Sequence, residues 1–132
     1  MATSISATVT QSVQMAGATF SSATTTVTGE TAPIIETTIA TSVTATISGV
    51  AFAIAKLQML YMLSDSADCQ VTMVGTGGNT VINLLKGVPY LWFSGSGAAN
   101  PLGHDPITGM TVNNNGAQAV STDFHARIVL SA

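Results

Sequence analysis

The chain has 132 residues, only 7% of them charged, and a formal net charge of -3, where an ordinary soluble domain carries about 25% charged residues. Three basic residues cannot neutralise many phosphates, which excludes nucleic-acid binding through the usual counterion-release term. A hydrophobic content of 46% with so little charge also excludes a disordered acidic or basic tail.

The length fits one domain with room for a second small one. The single cysteine, Cys69, leaves no internal disulfide and no Cys/His cluster for zinc. Met1-Ala2-Thr3-Ser4-Ile5 lacks the basic residues and apolar core of a signal peptide, so synthesis and folding in the cytoplasm are expected.

Residues 1–48 are dominated by Thr and Ser, with Glu30 and Glu36 as their charges. Ile5, Ala7, Val9 and Val13 fall on one parity, and Ser4, Ser6, Thr8, Thr10 and Ser12 on the other. Ile39, Val43, Ala45 and Ile47 alternate in the same way with Thr38, Ser42, Thr44, Thr46 and Ser48. Period two with β-branched residues predicts half-buried strands over 6–10, 22–28 and 42–48. Gly17, Gly29 and Pro33 punctuate them. The segment is expected to be a β arm or a small β layer.

Gly49 opens the second part. The most apolar run, Val50–Leu63, contains Lys56 and is shorter than the ~20 residues of a membrane helix, so no membrane span is expected. A strand is predicted over Leu57–Leu63, ending at Ser64-Asp65-Ser66-Ala67-Asp68. Further strands follow over Gln70–Val74, Thr80–Leu84, Pro89–Phe93, Met110–Val112 and Val120–Leu130. Gly75-Thr76-Gly77-Gly78-Asn79, Lys86-Gly87, Ser94-Gly95-Ser96-Gly97 and Asn113-Asn114-Asn115-Gly116 separate them as turns. In the last strand Val120, Thr122, Phe124, Ala126, Ile128 and Leu130 share one face, and Ser121, Asp123, His125 and Arg127 the other. Short strands at this spacing predict an all-β fold, an antiparallel β-sandwich of jelly-roll or immunoglobulin-like type, over residues 49–132.

Chemical constellations are few. His104-Asp105 is the only adjacent His/carboxylate pair. A hydrolytic dyad would need Ser94 or Ser96 as nucleophile, but neither has the glycine spacing of a nucleophile elbow. A polar loop braced by Pro101 and Pro106 is the expected reading. Asp65 and Asp68 lack the pattern of a calcium loop. Asp123, His125 and Arg127 suit a surface network on a strand's polar face. Tyr90 and Trp92 share one face of their strand, Leu91 and Phe93 the other; core filling and contact with a neighbouring subunit are both open to the aromatic pair. The interface candidates are therefore Tyr90, Trp92, Asp123, His125 and Arg127. No catalytic residue, cofactor or metal site is expected, and the chain is not expected to be an enzyme.

From Lys56 onward the order of segments carries a further signal. It runs Lys56–Asp65, then Asn79-Thr80-Val81-Ile82-Asn83-Leu84, Lys86-Gly87-Val88-Pro89-Tyr90-Leu91-Trp92-Phe93, Asn100-Pro101-Leu102, Val112-Asn113-Asn114, and a close at Ala126-Arg127-Ile128-Val129-Leu130. This rhythm, covering roughly residues 50–132, is similar to small all-β proteins encoded among the virion-structure genes of tailed bacteriophages. The resemblance implies a virion structural protein on the capsid surface. Its leading version is a decoration (cement) protein, a homo-oligomer with a trimer favoured, whose partner is the major capsid protein. Tail, fibre or head-connector placement is the main rival. A third reading is a host-glycan-binding module using Tyr90, Trp92 and the loop Ser94–Pro106. The resemblance does not extend over residues 1–48.

Overall fold

The computed structural model describes residues 5–11, 14–15, 18–19, 23–29, 33–114 and 118–131. Ser4, Ser12, Val13, Gly17, Ser22 and Glu30, and the Asn115-Gly116 part of the last turn, lie outside them. The fold is an all-β, antiparallel sandwich. Its strands are β1 Ile5–Gln11, β2 Gln14–Met15, β3 Ala18–Thr19, β4 Ala23–Gly29, β5 Ile34–Ile39, β6 Thr44–Ile47, β7 Leu57–Ser64, β8 Cys69–Gly75, β9 Gly78–Leu84, β10 Tyr90–Phe93, β11 Ile107–Asn113 and β12 Thr122–Leu130. The first sheet has the order β10-β7-β12-β5, and the second β6-β11-β8-β9. β1 pairs with β4, and β2 with β3, as separate two-stranded ribbons.

The alternation in the sequence explains which faces meet. Thr122, Phe124, Ala126, Ile128 and Leu130 of β12 are buried, as are Leu60 and Met62 of β7, and they face Val71, Met73, Met110 and Val112 of the second sheet in one core. Trp92 and Ile39 join from the edge strands. Each fully buried side chain of this size contributes about 1.5–3 kcal/mol. Four connections between the sheets lie at one end of the sandwich: 40–43, 65–68, 85–89 and the one between β11 and β12, of which Asn114 and residues 118–121 are described. The opposite end holds 48–56, with its single 3-10 turn Ile54–Lys56, the tight β8–β9 turn at Gly77 (φ +83°), and 94–106.

Two features differ from the sequence expectation. The strand expected over 42–48 is shorter, Thr44–Ile47, and an unexpected strand, Ile34–Ile39, precedes it across a turn where Ser42 has φ +63°. β5 lies before the turn and pairs with β12; β6 follows it and pairs with β11. Strand pairing therefore crosses the expected boundary at 48/49, and two strands of the first 48 residues belong to the sandwich. The physical reason is edge position. β5 and β6 each have one partner strand, so they need little of the apolar density that marks a central strand, and the exposed Thr44 and Thr46 of β6 look like the outer residues of β1 and β4.

The β1–β4 ribbon lies on the outer face of the first sheet. Val9 and Val27 are buried there against Met59, Phe93 and Val129, with Ala7 and Tyr61 at the margin. This explains Val129, an apolar residue on the otherwise polar side of β12: the ribbon covers it. The approach is close at Gly29, where a Cβ would overlap the Leu130 carbonyl oxygen and lie 2.6 Å from a Val129 methyl.

Candidate functional site

The two outer faces of the sandwich have different chemistry. On the first sheet the register sets out rows that run from covered to open. Phe93, Met59 and Val129 lie under the ribbon. Leu91, Tyr61, Arg127 and Ile34 form the next row, then Leu63, His125 and Glu36. Asp123 stands opposite Thr38 beyond them.

Three of the five candidate residues meet in the open rows, and two carboxylates join them. His125 Nε2 lies 2.9 Å from Asp65 Oδ2, and its Nδ1 lies 3.7 Å from Glu36 Oε1. Arg127 donates to the same Glu36 oxygen at 2.6 Å. Thr38 donates to Asp123 Oδ1 at 2.7 Å. The hydrogen bond to Asp65 raises the His125 pKa above its ordinary value, opposed by partial desolvation, with Glu36 adding to the rise. The Arg127 hydrogen bond and charge hold Glu36 below its ordinary value. The network ties edge strand β5 and the segment after β7 to central strand β12. Glu36, Thr37, Thr38, Asp123 and His125 line a shallow depression of about 230 Å³.

Tyr90 and Trp92 lie elsewhere. They point inward and pack against the main core, where Trp92 is 9% exposed and donates its indole N–H to the Ala98 carbonyl at 3.1 Å. As candidates for a surface contact they are corrected: of the two roles open to them, core filling is the one they occupy. The parity argument placed them on a common face, and the missing information was which face the core claims. In β10 the outward pair is Leu91, exposed, and Phe93, under the ribbon.

The second sheet's outer face is the surface that no single motif announced. Its register aligns Thr44, Asn113, Gln70 and Asn83 in one row, and Thr46, Thr111, Thr72 and Val81 in the next. Gly109, Val74 and Asn79 follow. None of these residues is charged. Asn113 donates to Thr44 Oγ1 at 2.6 Å, and Gln70 to Asn83 Oδ1 at 3.3 Å. Asn113 Oδ1 is buried and has no hydrogen-bond partner among the described residues. The signal in the sequence was the polar parity of each strand. It becomes a surface only once non-consecutive strands are brought side by side.

The remaining polar groups have structural roles. Asp105 accepts the Ile54 N–H at 2.8 Å. His104 lies over the β8–β9 turn, where a Cβ on Gly78 would come within 2.7 Å of its Nδ1. Ser94 donates to Gln58 at 3.0 Å, and Ser96 Oγ accepts the Ala98 N–H at 3.3 Å. Asp68 Oδ1 accepts the Lys86 N–H at 2.8 Å. Cys69 is buried beside Ser64 Oγ (3.3 Å), and burial pushes its thiol pKa up, away from the thiolate form that reacts. Ser64 and Thr122 form a buried pair at 2.8 Å, with Thr122 Oγ1 accepting the Ser66 N–H. Among the described residues no three His, Cys, Asp or Glu side chains group as metal ligands, and no helix is long and apolar enough to cross a membrane. No family model, curated protein or solved structure matches the chain.

Proposed function

We propose that this chain is a bacteriophage virion structural protein, a capsid decoration protein that stabilises the head by bridging major capsid subunits. The observation that supports the reading most is the uncharged outer face of the second sheet. A protein that must dock a broad surface against a partner loses free energy for each ion it strips of water without a matched counter-charge. Threonine, asparagine and glutamine rows avoid that cost while keeping the free chain wetted.

The strand order adds support of a weaker kind. We read the orders β5-β12-β7-β10 and β6-β11-β8-β9, with four crossings between sheets at one end, as a double Greek key of jelly-roll type. That architecture serves in viral capsid and lectin domains among others, so it is an argument by analogy of fold. In this reading the chain forms a homo-oligomer, a trimer being favoured, and many weak contacts per oligomer sum to firm attachment. The face spans four strands about 4.8 Å apart. That is small beside the roughly 800 Å² per partner of a standard interface, so multiple attachment is part of the mechanism. A glycan-binding role built on Tyr90 and Trp92 loses its stacking platform, because both rings pack inward.

The test is copy number. Particles carrying the chain are weighed and imaged, and its amount is expressed per major capsid subunit. A fixed ratio with density on the head surface is expected. A few copies confined to the tail or connector would overturn the decoration role.

A further inference from the structure

Seven large hydrophobic side chains are exposed among the described residues, and four of them lie at one end of the sandwich. Val43, Leu85, Val88 and Val120 are 43, 61, 53 and 44% exposed. They belong to three of the four connections between the sheets there, in 40–43, 85–89 and 118–121. The opposite end, with 48–56, 76–77 and 94–106, has none of the seven. Apolar tips gathered on one end are what a contact surface leaves open.

The crossing segments are also tied to each other. Asn114 donates its side-chain amide to the carbonyls of Ile39 (3.0 Å) and Val120 (2.9 Å). Its backbone accepts the Ser42 N–H at 2.7 Å and donates to the Val43 carbonyl at 2.9 Å. Asp68 donates its N–H to Gln118 Oε1 at 2.9 Å and accepts the Lys86 N–H at 2.8 Å. Gly87 donates to the Ser64 carbonyl at 2.8 Å. Hydrogen bonds thus run from 40–43 through Asn114, 118–121 and 65–68 to 85–89. A surface held in this way loses little conformational entropy on binding.

We propose that this loop end is the surface through which copies of this chain associate with one another. Charge selects a second copy as the occupant. The end carries both signs: Asp68, whose carboxylate accepts only a backbone N–H among the described residues, and Lys86, which has no ion pair among them. A surface with both signs is complementary to itself. Rotational packing of two ends brings the Lys86 of one copy towards the Asp68 of the next, around aliphatic tips that leave water together. The inference goes further than the decoration role and is read on the purified chain alone.

The experiment is mass in solution. Light scattering after size exclusion is run over a concentration series on the full chain and its variants. The wild type is expected to be oligomeric. Leu85→Asp with Val88→Asp is expected to be monomeric, or to need about tenfold or more higher concentration to assemble, with an unchanged melting temperature. Lys86→Glu shifts assembly the same way by less. Ile34→Asp, an exposed aliphatic on β5 away from the end, keeps the wild-type mass. Should the double aspartate variant fail to fold, Leu85→Ser with Val88→Ser is read for the same shift. A monomeric wild type, or a folded double variant with wild-type mass, overturns the inference. Head binding separates the two proposals. A monomeric wild type that still saturates heads refutes only the association surface, whereas an oligomeric wild type that binds no head refutes only the decoration role.

Discussion

The outer face of the first sheet holds Glu36, Asp123, His125 and Arg127, with Asp65 at its end, while the outer face of the second sheet holds Thr, Asn, Gln, Val and Gly and no charge. Both are outer faces of one sandwich over one core. The charged face is internally satisfied: His125 lies between two carboxylates, Arg127 holds one of them, and Asp123 takes the Thr38 hydroxyl. Its other half is covered by the β1–β4 ribbon. Among the described residues the uncharged face has no covering element. The difference teaches that charge in this chain is spent on holding strands in place, and that the open face is the neutral one.

That contrast can be broken first at what both faces share. Phe124→Ala, at a fully buried position in β12, is expected to cost about 3–5 kcal/mol and to remove both faces together. Chemical denaturation checks it: one cooperative transition at a lower midpoint. Gly29→Val is expected to act on one face only. Its side chain would meet the Leu130 backbone and Val129, at about 1–3 kcal/mol for overpacking. Hydrogen exchange should then show faster exchange in 23–29 and at Val129, while β8 and β11 keep their protection.

The charged face should also respond to pH where the neutral face does not. His125 has a raised folded pKa, so its contribution is complete below the ordinary value of about 6.5 and is lost as pH rises through the folded value. Glu36 has a lowered folded pKa. Its contribution is complete above the ordinary value of about 4.3 and is lost as pH falls through the folded value. Stability from this network should therefore be greatest between those two ordinary values. Melting temperature measured across pH should show that maximum, and His125→Ala should flatten its upper side. The smallest effect on stability is expected for Thr46→Lys with Val81→Lys, exposed positions on the two edge strands of the neutral face, within about 0.5 kcal/mol for each substitution.

Much of this was legible in the chain and some was not. The all-β class followed from period-two runs, and the strands over 57–64, 69–75, 78–84, 90–93, 107–113 and 122–130 lie where Gly and Asn turns bound apolar alternation. β5 was missed because Pro33 read as punctuation and Ile34 and Ile35 break the alternation; the strand is an edge with Ile34 exposed. Asp123, His125 and Arg127 were visible as neighbours on one strand face. Asp65 and Glu36 were not, because their place beside His125 comes from pairing between strands far apart in sequence. Trp92 was visible as an aromatic on a strand, but parity alone cannot tell an inner face from an outer one. The neutral face has no local signature, since it consists of one polar parity from each of four strands.

The measurement that bears most directly on the neutral face as docking surface is head binding by paired variants. Thr46→Lys with Val81→Lys, and separately Glu36→Gln with Asp123→Asn, are added to heads lacking the chain, and bound copies are counted against wild type. The first pair should lose binding while keeping its fold and melting temperature, and the second should bind as wild type does. Binding that survives the lysines, or is lost with the neutralised carboxylates instead, would contradict the account.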